Sequence, residues 1–136
     1  MFSISSICYG IDAVIALIFG VIYLTRSQFM PYHSLALAKA WSEVEPNTQT
    51  LILALMRAAG GGFIATGIAI IVLLCIPFQA KEQWAIYSVF FICFCSSFGS
   101  GYATYLVHNN TPGNPPLKLS FVAVLLSLVG LFCSIV

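Results

Sequence analysis

Four long apolar runs divide the chain and set its architecture. The first covers Cys8 to Thr25 and is interrupted only by Asp12. The second covers about Ala58 to Ile76, with Thr50 to Arg57 able to extend the same helix outward; the third is Trp84 to Val107 and the fourth Leu117 to Val136. At a rise of about 1.5 Å per residue, runs of this length cross a hydrocarbon core of about 30 Å. Alternation with a period of two is absent, which argues against a membrane barrel. Pro31, Pro46, Pro77, Pro112, Pro115 and Pro116 all fall between the runs, where a missing N–H breaks no helix. The pattern predicts an all-α fold, a transmembrane four-helix bundle in one domain, with spans at about 8–25, 50–76, 84–107 and 117–136.

The connection between spans 1 and 2 has a pattern of its own. On a helical wheel, Tyr32 to Glu45 places His33, Leu37, Ala40, Trp41 and Val44 on one side and Lys39, Ser42 and Glu43 opposite. This stripe predicts a short amphipathic helix at about 31–45, opened by Pro31, lying in the interface as a spacer or folded over an intramembrane cavity as a lid. Asn47 is placed to cap the second span and Trp84 to sit in an aromatic belt, while Thr111 to Pro116 reads as a stiff turn.

Composition sharpens the class. Of 136 residues, 60% are hydrophobic and 7% charged, with a mean hydropathy of +1.01, whereas soluble domains carry about 25% charge. A net charge of +1 offers no footprint for nucleic acid and no polybasic lipid-binding tail. The basic residues are nonetheless unequally distributed. Arg26, Lys39, Arg57 and Lys118 belong to one end of the bundle and Lys81 to the other, which predicts loops one and three in the cytoplasm and both termini outside. Met1 to Ile7 has no basic region, so the first span is expected to be retained rather than cleaved.

Asp12 is the sharpest chemical signal. An acid at a span centre costs about 2.5 to 3.5 kcal/mol on the insertion scale, and the nine Ile, Leu, Val and Phe residues of that run return only about 4 kcal/mol. Such a side chain faces protein or water, as a proton-binding group or in a structural hydrogen bond. Tyr9, Ala13, Ala16, Gly20 and Tyr23 share its side of the helix.

Arg57, followed by Ala58-Ala59-Gly60-Gly61-Gly62, is the second signal. Consecutive glycines suit close approach by another backbone or a ligand, and Ala58, Gly62 and Thr66 form a small-residue ridge at i+4. Arg57 can hold an anionic group or extend to the headgroups. In span 3, Ser96, Ser100 and Thr104 form a polar ridge expected to pack on span 2. His33 and Trp41 lie on the apolar side of the interfacial segment as further ligand candidates. No spacing of His, Cys, Asp or Glu matches a metal site, no cofactor motif is present, and no catalytic constellation stands out. The five cysteines, Cys8, Cys75, Cys93, Cys95 and Cys133, all lie within spans as small packing residues. Asn109-Asn110-Thr111 has the form of a glycosylation sequon but lies on the side read as cytoplasmic.

Tyr9-Gly10, Met30-Pro31-Tyr32-His33 and Arg57 to Gly62, in this layout, resemble a group of uncharacterised small bacterial four-helix membrane proteins, DoxX-like in general plan. That resemblance implies a bundle in a bacterial inner membrane and assigns no activity or functional residue. A functional analogy also exists with small multidrug transporters, which have four short spans and an acid in the first, although the long first loop here departs from them. The expected function is a non-enzymatic bundle that binds a lipid or small amphiphile, or serves as an accessory subunit. The alternative is a small proton-coupled transporter using Asp12. Membrane lipids, a second copy and another membrane protein are the expected partners.

Overall fold

A computed structural model describes residues 3–136, and within them the chain is all-helical. Five helices follow in order: α1 (Ile4–Thr25), α2 (Pro31–Leu37), α3 (Pro46–Cys75), α4 (Gln83–Asn110) and α5 (Leu117–Ile135). Every one except α2 is long and apolar enough to span a membrane. Their outward faces carry Ile11, Val14 and Ile18 on α1, Phe91 and Phe98 on α4, and Leu125 and Phe132 on α5, all exposed on the isolated chain. A surface this apolar requires lipid around it.

The spanning helices form a ring in which α1 lies between α3 and α5, and α4 closes the circle on the far side. Close approach between α1 and α3 fixes their register. A Cβ added at Gly60 would lie 3.0 Å from the Gly20 carbonyl oxygen and 3.0 Å from the Leu24 nitrogen. One added at Gly67 would lie 3.0 Å from the Ala13 oxygen. The facing pairs Gly20 with Gly60 and Ala13 with Gly67 define an antiparallel contact repeating every seven residues, the spacing at which small residues return to one seam. Gly61 and Gly62 turn away, with nothing within 4 Å of an added Cβ, and Ala58 is exposed. The small-residue ridge expected at Ala58, Gly62 and Thr66 therefore does not form the α1–α3 seam; Gly60 and Gly67 do.

At one end of the bundle, Tyr9, Ile70, Leu74, Phe78, Val89 and Cys93 form a tight apolar plug. The Tyr9 ring meets Phe78 edge-on at 5.9 Å and packs against Gly130 of α5, where an added Cβ would lie 2.8 Å from the ring. Ser3 caps α1 by accepting the Ser6 N–H at 3.2 Å, so the helix starts four residues earlier than the apolar run that marks it. Consequently Asp12 lies eight residues, or about 12 Å, inside α1.

At the other end, the segment expected to be one helix over 31–45 is two pieces. Pro31 does open α2, but α2 stops at Leu37, and a short 3₁₀ turn follows at Trp41–Glu43. Between them Ala38 adopts a left-handed conformation, φ 51°. Two polar contacts hold the break: Ser34 Oγ donates to the Lys39 carbonyl at 2.8 Å, and the Ala40 N–H donates to Glu43 Oε2 at 2.8 Å. The break lets Trp41 and Val44 fold under the loop, with the Trp41 ring edge-on to Phe29 at 4.8 Å beside Met56. Helix α3 begins at Pro46 with Glu45 as the residue before it, so Asn47 sits within the first turn rather than capping it.

Candidate functional site

The four spanning helices do not fill the centre of the ring. Beyond the apolar plug they surround a cavity of about 380 Å³ that runs from Asp12, its floor, to the end carrying α2, its mouth, within the usual range of small-molecule sites. One stripe of α1 lines it from floor to mouth: Asp12, Ile15, Ala16, Phe19 and Tyr23, the i+3, i+4, i+7 and i+11 positions of one helix face. Tyr23 is about 16 Å from Asp12 along the axis by helical rise.

The opposite wall is α4, whose Ser96, Ser97, Ser100 and Thr104 face the cavity. The hydrogen bonds of two of these hydroxyls are already committed. Ser100 Oγ donates to the Ser97 carbonyl at 3.1 Å, and Thr104 Oγ1 donates to the Ser100 carbonyl at 2.7 Å. A hydroxyl has one proton to give, so these two present only acceptor lone pairs to the cavity. Phe63, Thr66 and Ile70 of α3 and Leu119, Ser120 and Ala123 of α5 complete the walls.

Asp12 stands at the closed end. It is 5% exposed, and neither carboxylate oxygen has a hydrogen-bond partner among the described residues. Cys93 faces it from α4 without meeting hydrogen-bond geometry. Arg57 is not its partner either: the α1–α3 register sets Arg57 level with Tyr23, and its side chain is exposed. A buried carboxyl without a donor is costly, and native interiors rarely leave one so.

Helix α2 covers the mouth. Tyr32 and His33 line it, and the Tyr32 hydroxyl shares a 2.6 Å hydrogen bond with Tyr23. Burial pushes the Tyr32 phenol well above its ordinary pKa, and the bond to Tyr23 adds to the effect. Burial also lowers the pKa of His33; its Nδ1 accepts the Met30 N–H at 3.3 Å. The turn after α4 buttresses this cover, since Gly113 packs so closely under α2 that a Cβ there would lie 2.8 Å from the Tyr32 carbonyl oxygen. A shallower apolar groove between α2 and α3 shares Tyr23, His33 and Ala59 with the mouth.

The candidates named from sequence thus separate. Asp12, His33, Ser96 and Ser100 come together around the cavity, the two serines lining it rather than packing against α3. Tyr9 lies below it in the plug, Trp41 belongs to the loop cluster, Gly60 packs on α1, and Gly61 and Gly62 face outward with Arg57. Ser97 and Tyr32, read from sequence only as a polar residue of span 3 and as part of a loop motif, join the residues around the cavity, and Phe19, Phe63 and the start of α5 are cavity walls that the sequence reading does not single out. The spacing from Asp12 through Phe19 to Tyr23 carries the signal for the α1 wall; the α5 contribution has no comparable signal. No family model, curated protein or solved structure matches the chain.

Proposed function

We propose that this membrane protein binds a small amphiphile inside its helix bundle and that the cavity under α2 is the binding site. The observation that carries the reading is the Asp12 carboxyl, buried, without a partner and facing a cavity with one apolar and one polar wall. Two-sided chemistry of that kind suits a molecule with a polar group and an apolar body. Purified gently in a non-ionic detergent, the chain is expected to carry a discrete small-molecule adduct in native mass spectra. Ser100→Phe, which fills the cavity from α4, should remove the adduct. Spectra with no adduct, or with the same adduct in both proteins, would overturn the reading. The same spectra distinguish a monomer from a homo-oligomer or accessory subunit.

A second reading, proton-coupled transport, is favoured by one feature: Asp12 is the only acidic residue within the four spanning helices. It requires the apolar plug beneath Asp12 to open as well as the α2 cover. A pH-driven flux into proteoliposomes that disappears in Asp12→Asn would establish it.

The membrane we propose is a bacterial inner membrane, with the mouth on the cytoplasmic side, because Arg26, Lys39, Arg57 and Lys118 cluster at that end. A reporter active only in the cytoplasm, fused after Val136, is expected to be silent. Strong activity would reverse the orientation and place the mouth outside.

A further inference from the structure

We infer that the occupant of the cavity is a protonated amine bearing an apolar chain, with its ammonium group on Asp12. This rests on the binding reading above and assigns its ligand class. Three independent features point the same way. The cavity is lined by one acidic side chain, Asp12, which lies at the closed end with no hydrogen-bond partner among the described residues. None of the five Lys and Arg residues lines the cavity, so the wall offers no cation to a phosphate or a carboxylate. The Ser100 and Thr104 hydroxyls spend their protons on their own helix, which leaves acceptors toward the ligand.

Acceptors at Ser100 and Thr104, together with the Asp12 carboxyl, suit a ligand that brings its own donors. An ammonium group supplies positive charge and N–H donors together, and a charge-assisted hydrogen bond to a desolvated carboxylate is among the stronger polar contacts available. An anionic headgroup would instead meet like charge at Asp12 without a compensating cation. Phe19, Phe63 and Leu119 supply the apolar surface for the chain attached to the amine, and their position nearer the mouth than Asp12 sets the direction, ammonium inward and chain outward.

The test compares n-octylamine, n-octanol and octanoate, which share a chain and differ in the charge and donors of the head, on the purified protein in a non-ionic detergent. Octylamine is expected to raise the melting temperature and to bind at least about ten-fold more tightly than the other two. Asp12→Asn should reduce it to the level of octanol, and Ser100→Phe should abolish binding of all three. Equal or tighter binding of octanoate overturns the amine assignment, as does an amine preference that survives in Asp12→Asn. If all three bind alike and Ser100→Phe removes them, amphiphile binding stands and only the amine assignment falls; if none binds, both fall. Should Asp12→Asn fail to accumulate, the unmodified protein decides the matter, because the absence of an amine preference there is sufficient to reject it.

Discussion

Gly67→Leu is expected to lower the stability of the bundle by about 2 to 3 kcal/mol, while Gly62→Leu, on the same helix, leaves it unchanged. The difference follows from backbone geometry. At Gly67 an added Cβ meets the Leu17 side chain at 2.6 Å and the Ala13 carbonyl oxygen at 3.0 Å. Leu17 can change rotamer, but the Ala13 oxygen belongs to α1 itself, so α1 and α3 must separate along their whole seam. Lipid drives helices together weakly, since tails are as apolar as leucine, and the seam depends on close van der Waals contact that separation forfeits. Gly62 has nothing within 4 Å of an added Cβ, so a leucine there reaches lipid. Thermal unfolding of both variants in detergent checks the contrast; equal melting temperatures would mean that the Gly60 and Gly67 contacts do not hold the helices.

That contrast also shows where sequence reasoning reaches its limit. On α1 the small residues are separated by larger ones, so Ala13, Ala16 and Gly20 mark a face, and that face is indeed buried. On α3 three glycines are consecutive, and at about 100° per residue they point in three directions at once. Composition reveals that some backbone comes close, but only the partner helix determines which glycine it touches. The polar ridge of α4 failed in a related way. Serines at i+4 intervals suit helix packing and cavity lining equally, and the choice depends on how far α3 and α4 are held apart. The break in the interfacial segment left even less trace. Ala38, Lys39 and Ala40 are good helix formers, and the left-handed turn at Ala38 arises where the chain leaves α2, itself docked on Gly113, to bring Trp41 against Phe29. The four spans were readable because lipid imposes a length and a continuous apolarity on each.

Asp12→Leu should make the ligand-free protein more stable, by about 1 to 3 kcal/mol, which is the range expected for relieving a buried polar group of its unmet hydrogen bonds. Most substitutions at a residue so deeply buried destabilise, so the sign is diagnostic. Leucine is close to aspartate in length, and beside Ile15, Ala16 and Ile70 it adds apolar contact at the floor of the cavity. Asp12→Asn is expected to gain less, because the amide retains polar atoms that the surroundings do not satisfy. An amine works against this order. Octylamine then stabilises the unmodified protein through a contact that neither variant can make, and the gap in melting temperature narrows or changes sign as its concentration rises. A stability cost that only a ligand repays is the mark of a group retained for binding. If Asp12→Leu instead melts well below the unmodified protein, the carboxyl serves the fold through a structural partner, and the cavity loses the anchor on which its proposed chemistry depends.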